Sequence, residues 1–360
     1  MTNIRQKRLL IMAAGTGGHI FPGLAIAEMM RERGWQVSWL GTSSGMETQI
    51  VPQHNIPMDR LNFTGMRGKG LKHSVTGAWK LLMSFLQCFR LLGVRQPDVV
   101  LGMGGYVTVP GGIMAALRGK PVVLMNADAT LLLSNKMLRP FASKLLFGLP
   151  SDATVSSKKI EVTGNPVRKE ICTLMLPAQR YAQRQGPLRI LVVGGSLGAK
   201  ILNDTLPKAL ALIPSEARPQ VTHQSGKQHI DALRRSYHDA DVQAEVLDFI
   251  DDMPRRYADA DLVICRAGAI TVSELTAAGV ASILVPFMAS STSHQQQNAV
   301  WMAEQKAAIY LPQAQLQPAS LAAQLQALDR HACLQMAQTA YGLGQREASA
   351  NIAKILEALA

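Results

Sequence analysis

Chemistry in this sequence can begin at three glycine clusters, each directly after a short apolar run: Gly15-Thr16-Gly17-Gly18, Gly102-Met103-Gly104-Gly105-Tyr106 and Gly194-Gly195-Ser196-Leu197-Gly198. A glycine loop between a strand and a helix lets backbone N–H groups approach an anion at the positive end of the helix dipole, and phosphate is the usual anion. One such loop can be explained by tight strand–helix packing. Two on one sheet edge are more than packing needs. Open α/β sheets bind ligands at the carboxyl ends of their strands, so Thr16, His19, Tyr106 and the region of Asn126 are expected to converge on one crevice suited to a diphosphate. Further on, Arg266-Ala267-Gly268 follows an apolar run and leads through Thr271 to a helical stretch carrying Glu274. An arginine and a helix start there also suit a phosphate.

These loops depend on the elements around them. Leu9 to Ala13, Val37 to Leu40, Val99 to Leu101 and Val122 to Met125 read as buried parallel strands separated by helix-period segments. The rhythm restarts with Leu188 to Val193, Gln220 to His223, Leu262 to Cys265 and Ser282 to Val285. The pattern predicts a duplicated Rossmann-like α/β architecture. The boundary is expected between Gly164-Asn165-Pro166 and Gly186-Pro187, around a helical stretch that belongs clearly to neither half. Neither half carries G-x-G-x-x-G with an acidic residue at the end of its second strand, which reads Leu40-Gly41-Thr42 and Thr222-His223-Gln224, so dinucleotide binding loses its support.

The 360 residues carry 37 Lys and Arg against 25 Asp and Glu, a net charge of +12 that should attract an anionic partner. An aromatic content of only 5% and the lack of a recognised DNA- or RNA-binding motif argue against nucleic acid. The four cysteines form no CxxC pair, which signals neither a zinc site nor a redox motif. The stretch from Leu71 to Leu92 is too interrupted by Lys72, His73, Lys80 and Arg90 to span a bilayer. From Arg67 to Leu92, however, Arg67, Lys69, Lys72, Lys80 and Arg90 accompany Val75, Trp79, Leu82, Phe85, Leu86 and Phe89, which share one helical face. Such a helix either lies on an anionic membrane or packs that face into the core.

Gly15-Thr16-Gly17-Gly18-His19-Ile20-Phe21-Pro22-Gly23, Gly102-Met103-Gly104-Gly105-Tyr106, Gly164-Asn165-Pro166-Val167-Arg168, Gly194-Gly195-Ser196, Phe249-Ile250-Asp251-Asp252-Met253 and Arg266-Ala267-Gly268 through Glu274 occur in this order along nearly the whole chain. The series resembles glycosyltransferase family 28, and within it the bacterial enzymes that add N-acetylglucosamine to lipid I. The resemblance implies a GT-B fold with two Rossmann-like doubly wound parallel-sheet domains facing across a cleft. Residues 1–165 would handle the acceptor and membrane, and 166–360 the UDP-sugar, with the final helix returning to the first domain. It implies inverting transfer from UDP-N-acetylglucosamine to undecaprenyl-linked lipid I, without metal or other cofactor, in peptidoglycan synthesis. The setting would be peripheral, on anionic lipids at the cytoplasmic face of the inner membrane. His19 would be the base; imidazole's ordinary pKa of about 6.5 suits proton removal near neutral pH. Acceptor contacts would come from Thr16, Gly17, Gly18, Tyr106, Asn126 and Asp128. Donor contacts would come from Thr16, Gly17, Gly18, His19, Asp128, Arg168, Ser196, Ile250, Arg266, Ala269, Ile270, Thr271, Glu274 and Gln295, with Glu274 holding the ribose and Ile250 reading uracil through its backbone.

The departures lie mainly on the acceptor side. The family usually has His-Glu-Gln-Asn where this chain has Met125-Asn126-Ala127-Asp128, followed by the bulky Leu131 and Leu132. Ala14, Leu197 and Ser293 also differ from the usual glycine, glutamine and acidic residue. Two alternatives therefore stay open: a GT-B enzyme with another acceptor, and a UDP-sugar-binding protein with little turnover.

Overall fold

The computed structural model describes residues 5–61, 71–151, 157–182, 184–195, 198–287 and 293–360, with the side chains of 71–79 and 293 outside that description. The chain divides into two compact units, Met1–Pro166 with Arg346–Ala360, and Val167–Gln345.

Among the described residues the first unit is built on seven strands: β1 (Arg8–Ala13), β2 (Gln36–Thr42), β3 (Met58–Leu61), β4 (Val99–Gly104), β5 (Val122–Asn126), β6 (Lys144–Phe147) and β7 (Ile160–Val162). Their order is β3-β2-β1-β4-β5-β6-β7, every pair parallel. Burial on both faces explains why the central strands read as continuous apolar runs. Along β1, Leu9, Ile11 and Ala13 enter one core layer, while Leu10 and Met12 enter the other. The helix Gly17–Glu32 covers the first layer, and the terminal helix Ala348–Leu359 closes over it with Ile352, Ala353 and Leu356. A 2.7 Å ion pair, Arg33 to Glu357, joins these helices at the surface.

The second unit repeats the plan with β8 (Arg189–Val193), β9 (Gln220–Gln224), β10 (Glu245–Leu247), β11 (Leu262–Cys265), β12 (Ala281–Leu284) and β13 (Ile309–Tyr310). Their order is β10-β9-β8-β11-β12-β13, again all parallel. The GT-B class expected from the sequence, two Rossmann-like doubly wound parallel-sheet domains, is therefore present. One expectation changes. The stretch read as belonging to neither half is part of the second unit: Arg180 donates to the carbonyls of Tyr257 (3.0 Å), Ala278 (2.6 Å) and Gly279 (2.5 Å), and the Tyr181 hydroxyl to Asp261 O (2.6 Å).

In each sheet the strand order reverses once, between β1 and β4 and between β8 and β11. At such a switch point the following helices pass to opposite faces and leave an opening at the carboxyl ends of the strands. All three glycine clusters leave switch-point strands.

Candidate active site

In the first unit the β1 and β4 loops meet as the spacing predicts. Thr16 stands at the N-cap of the helix Gly17–Glu32 with an extended backbone, and its carbonyl accepts the N–H groups of His19 (3.0 Å) and Ile20 (3.3 Å). This turn places Gly17, Gly18 and His19 in the first helical turn. The His19 ring lies on Gly104: a Cβ there would come within 2.7 Å of its Cδ2 and Nε2, and Gly104 has a φ of +124°. A side chain at Gly104 would both strain the backbone and displace the imidazole. His19 Nδ1 lies 3.1 Å from Ala14 O. A carbonyl can only accept, so Nδ1 carries a proton, and in the neutral form of the ring Nε2 is then the accepting nitrogen. Tyr106, 51% exposed, follows the same β4 loop.

The sequence-based view of this loop as an anion cradle needs one change. Gly15 N–H already donates to the carboxylate of Glu47, at 3.1 Å to Oε2, and is not among the donors an anion could use. Glu47 is fully buried and also accepts Thr42 N–H (2.9 Å) and Oγ1–H (2.6 Å). Sequence reasoning missed it because it sits five residues beyond the strand end where an acidic residue was sought.

Asn126, expected to bind acceptor, is fully buried instead. Its Nδ2 donates to Asp128 O (2.7 Å) and Thr130 O (3.0 Å), and its Oδ1 accepts from Leu132 N (2.9 Å) and Asn135 Nδ2 (3.1 Å). With its amide spent on the 126–135 segment, Asn126 shapes the loop. Asp128 is nearly buried, at 9% exposed, in the same loop.

In the second unit, Glu274 projects from the helix Ala269–Ala278, which starts at Gly268 after β11. Its carboxylate, 13% exposed, accepts Arg168 Nη2 at 3.0 Å and the buried Tyr257 hydroxyl at 3.1 Å. Burial raises the Glu274 carboxyl, while the Arg168 charge and the two hydrogen bonds oppose that rise. The sequence nominated Arg168 and Glu274 separately; the fold makes them a pair, and adds Tyr257, which no motif marked. Ala269, Ile270 and Thr271 form the first turn of the same helix, with Ala269 buried.

Arg266, expected to meet phosphate, folds back on its own unit. Its Nη1 donates to Val285 O (3.1 Å), Pro286 O (3.3 Å) and Gln313 Oε1 (2.8 Å), and the guanidinium lies over Phe287. Gln295 is likewise engaged, its Oε1 accepting Phe287 N–H at 2.9 Å. Ile250 is buried in the segment after β10. Ser196 lies outside the described residues, but the flanks of its loop are set: Gly195 O accepts both Gly198 N–H (2.9 Å) and Gln224 Nε2 (2.9 Å). Among the described residues, no group of three His, Cys, Asp or Glu side chains could hold a metal ion.

Two doubly wound parallel-sheet units, each with glycine loops at its switch point, make up the GT-B fold. Residues 9–147 match the glycosyltransferase family 28 N-terminal domain and residues 189–355 the family 28 C-terminal domain. A protein of Janthinobacterium sp. (strain Marseille), named UDP-N-acetylglucosamine--N-acetylmuramyl-(pentapeptide) pyrophosphoryl-undecaprenol N-acetylglucosamine transferase, is 66% identical over 98% of this chain and 99% of its own length. The protein of the same name from Methylibium petroleiphilum is 54% identical over 98% of each chain. Among solved structures, MurG of Acinetobacter baumannii superposes with a TM-score of 0.84 at 36% identity, covering 98% of this chain and 99% of that one. The chain belongs to glycosyltransferase family 28.

Proposed function

We propose that this protein transfers N-acetylglucosamine from UDP-N-acetylglucosamine, with inversion, to undecaprenyl-linked lipid I, forming lipid II. The observation that carries this reading is the 66% identity, along 98% of the chain, to a transferase named for that donor and acceptor. His19 is the base that takes the acceptor hydroxyl's proton. Its Nδ1 contact with Ala14 O supports this, because it leaves Nε2 as the accepting nitrogen. Glu274, backed by Arg168 and Tyr257, holds the donor ribose; Ile250, the first turn at Ala269, Ile270 and Thr271, and Gln295 complete the donor side, and Ser196 serves the leaving diphosphate, while Arg266, folded back on Val285, Pro286 and Gln313, braces the donor unit. Thr16, Gly17, Gly18, Tyr106 and Asp128 serve the acceptor.

Attachment to anionic inner-membrane lipid is peripheral in this reading. Among the described residues no helix is long and apolar enough to cross a membrane. The helix Leu71–Arg95 buries Ser84, Cys88 and Leu92, while Leu82, Met83, Leu86 and Phe89 stay 44–52% exposed. The face bearing Leu82, Leu86 and Phe89 is thus the outward one, which favours the membrane over the core for it.

The test is transfer of radiolabelled N-acetylglucosamine to a lipid I analogue. Wild type is expected to form the disaccharide product. His19→Ala should lower kcat roughly 100-fold or more with the UDP-sugar KM nearly unchanged. Absence of transfer by the folded wild type would refute the acceptor; full activity of His19→Ala with loss in Asp128→Asn would move the base to Asp128.

A further inference from the structure

Beneath the first glycine loop lies a buried anion that the transfer chemistry above leaves without a role. Burial acts to raise the Glu47 carboxyl, but hydrogen bonds from the Thr42 hydroxyl and from the N–H groups of Thr42, Glu47 and Gly15 outweigh it and hold the group below its ordinary value. The fold makes room for it with glycines. A Cβ at Gly41 would lie 2.8 Å from Glu47 Cγ, and one at Gly45 would overlap the carboxylate.

The N–H that Glu47 holds and the carbonyl that His19 touches belong to one peptide group. Gly15 N donates to Glu47 Oε2 at 3.1 Å, and Ala14 O faces His19 Nδ1 at 3.1 Å. The next N–H, that of Ala14, donates to Gly104 O at 3.2 Å, tying this segment to the β4 loop on which the imidazole rests. A carboxylate at the N–H end of an amide strengthens the acceptor at its C=O end, because hydrogen bonds in a chain polarise one another in a low dielectric.

We propose that Glu47 is a positioning residue for His19, acting through the Ala14–Gly15 peptide to hold the imidazole in the tautomer and pose that direct Nε2 at the acceptor hydroxyl. The proposal rests on the reading of His19 as base. In the transfer, the acceptor proton passes to Nε2 while the acceptor oxygen bonds to the anomeric carbon, and UDP leaves with the electron pair of the broken bond. Glu47 exchanges no proton. The arrangement has the logic of a carboxylate–imidazole pair in which the carboxylate orients the ring and fixes its tautomer, with one peptide interposed.

Glu47→Gln tests it with nearly unchanged volume. Its single oxygen satisfies the two donors of Thr42 only by turning the NH2 group toward Gly15 N–H, so two donors face each other and the peptide loses its anchor. kcat is expected to fall about 10- to 100-fold with the UDP-N-acetylglucosamine KM within about threefold of wild type. In ¹⁵N NMR the His19 Nδ1–H resonance should lose its hydrogen-bonded position. Made in His19→Ala, the same substitution should cost less than about twofold, since the residues act as one unit. Normal kcat in folded Glu47→Gln, or an equal loss in both backgrounds, overturns the proposal. If His19→Ala itself keeps its turnover, the base assignment fails separately, and an unchanged Nδ1–H resonance in Glu47→Gln then overturns the positioning claim. Should Glu47→Gln not fold, Glu47→Asp withdraws the charge by one methylene and is expected to lower kcat alone; a normal kcat there also refutes the role.

Discussion

Glu274→Gln should weaken donor binding by an amount its surroundings allow to be worked out. An ionised carboxylate offers about four acceptor sites. Arg168 Nη2 and the Tyr257 hydroxyl occupy two of them, at 3.0 and 3.1 Å, leaving two for a vicinal diol such as that of ribose. A carboxamide of the same shape keeps one acceptor oxygen and turns a donor toward the other hydroxyl or toward Arg168. Losing one charge-assisted hydrogen bond costs about 1.5–3 kcal/mol, so the UDP dissociation constant should rise about 10- to 100-fold. The pH dependence has a defined sign. Burial raises the Glu274 carboxyl against the opposition of Arg168 and Tyr257, and only the anion accepts from both hydroxyls. Donor affinity is therefore full above the folded-state pKa and lost as pH falls through it, starting at a higher pH than an ordinary carboxylate would give. Calorimetric titration with UDP reads both effects, with thermal melting as the check on folding. Unchanged affinity in a folded Glu274→Gln protein would remove Glu274 from the donor site.

His223 is fully buried against the Tyr237 hydroxyl, and burial pushes its pKa down to about 3. Because the folded value lies below the unfolded value of about 6.5, the unfolded chain binds the extra proton between them, and this stability is full above about pH 6.5 and falls by about 1.4 kcal/mol per unit below it. Denaturant unfolding at pH 7.5 and 5.5 should show about 1.4 kcal/mol more acid loss in wild type than in His223→Gln, and equal losses would contradict the assignment. On the membrane side, Leu82→Ser with Leu86→Ser removes two half-exposed side chains worth about 1 kcal/mol each in a bilayer interface, so partition onto anionic vesicles should drop about 10-fold or more. Equal vesicle binding by the folded double variant, or equal wild-type binding to anionic and neutral vesicles, would remove this helix from the interface.

The parts legible in the sequence were those set by short-range pattern. Central strands such as β1 and β11 are buried on both faces and announce themselves as apolar runs, and the glycines that follow mark where the chain must turn closely into a helix. The edge strands carried no comparable signal. β7 reads Ile-Glu-Val and β10 Glu-Val-Leu, each three residues and partly exposed, so neither length nor alternation separates them from loop. The Leu71–Arg95 helix was ambiguous for a different reason: the side it packs on the core, with Leu81, Cys88, Leu91 and Leu92, and the side it leaves open, with Leu82, Leu86 and Phe89, are both apolar, and periodicity alone cannot say which of two stripes meets the core.

The site divides along the same line. Glycine loops, His19 and the Arg266 to Glu274 segment could be located because each is a local motif on a switch-point strand. What those residues touch could not, since their partners are distant: Gly15 and Glu47 are 32 positions apart, and Arg168 and Glu274 are 106. Asn126 shows the cost of reading position without partners. It stands at the carboxyl end of β5, where a ligand-facing polar residue is expected, yet four hydrogen bonds to its own loop consume its amide. Polar atoms buried in a low dielectric must be paired, and a nearby loop with unpaired carbonyls and N–H groups competes with any ligand for them. At Asn126 the loop wins. At Glu274, bonds from the described residues take two of about four acceptor sites, beside a partly exposed surface. That difference in remaining hydrogen-bond capacity, rather than placement on the sheet edge, separates a residue that shapes the site from one equipped to bind.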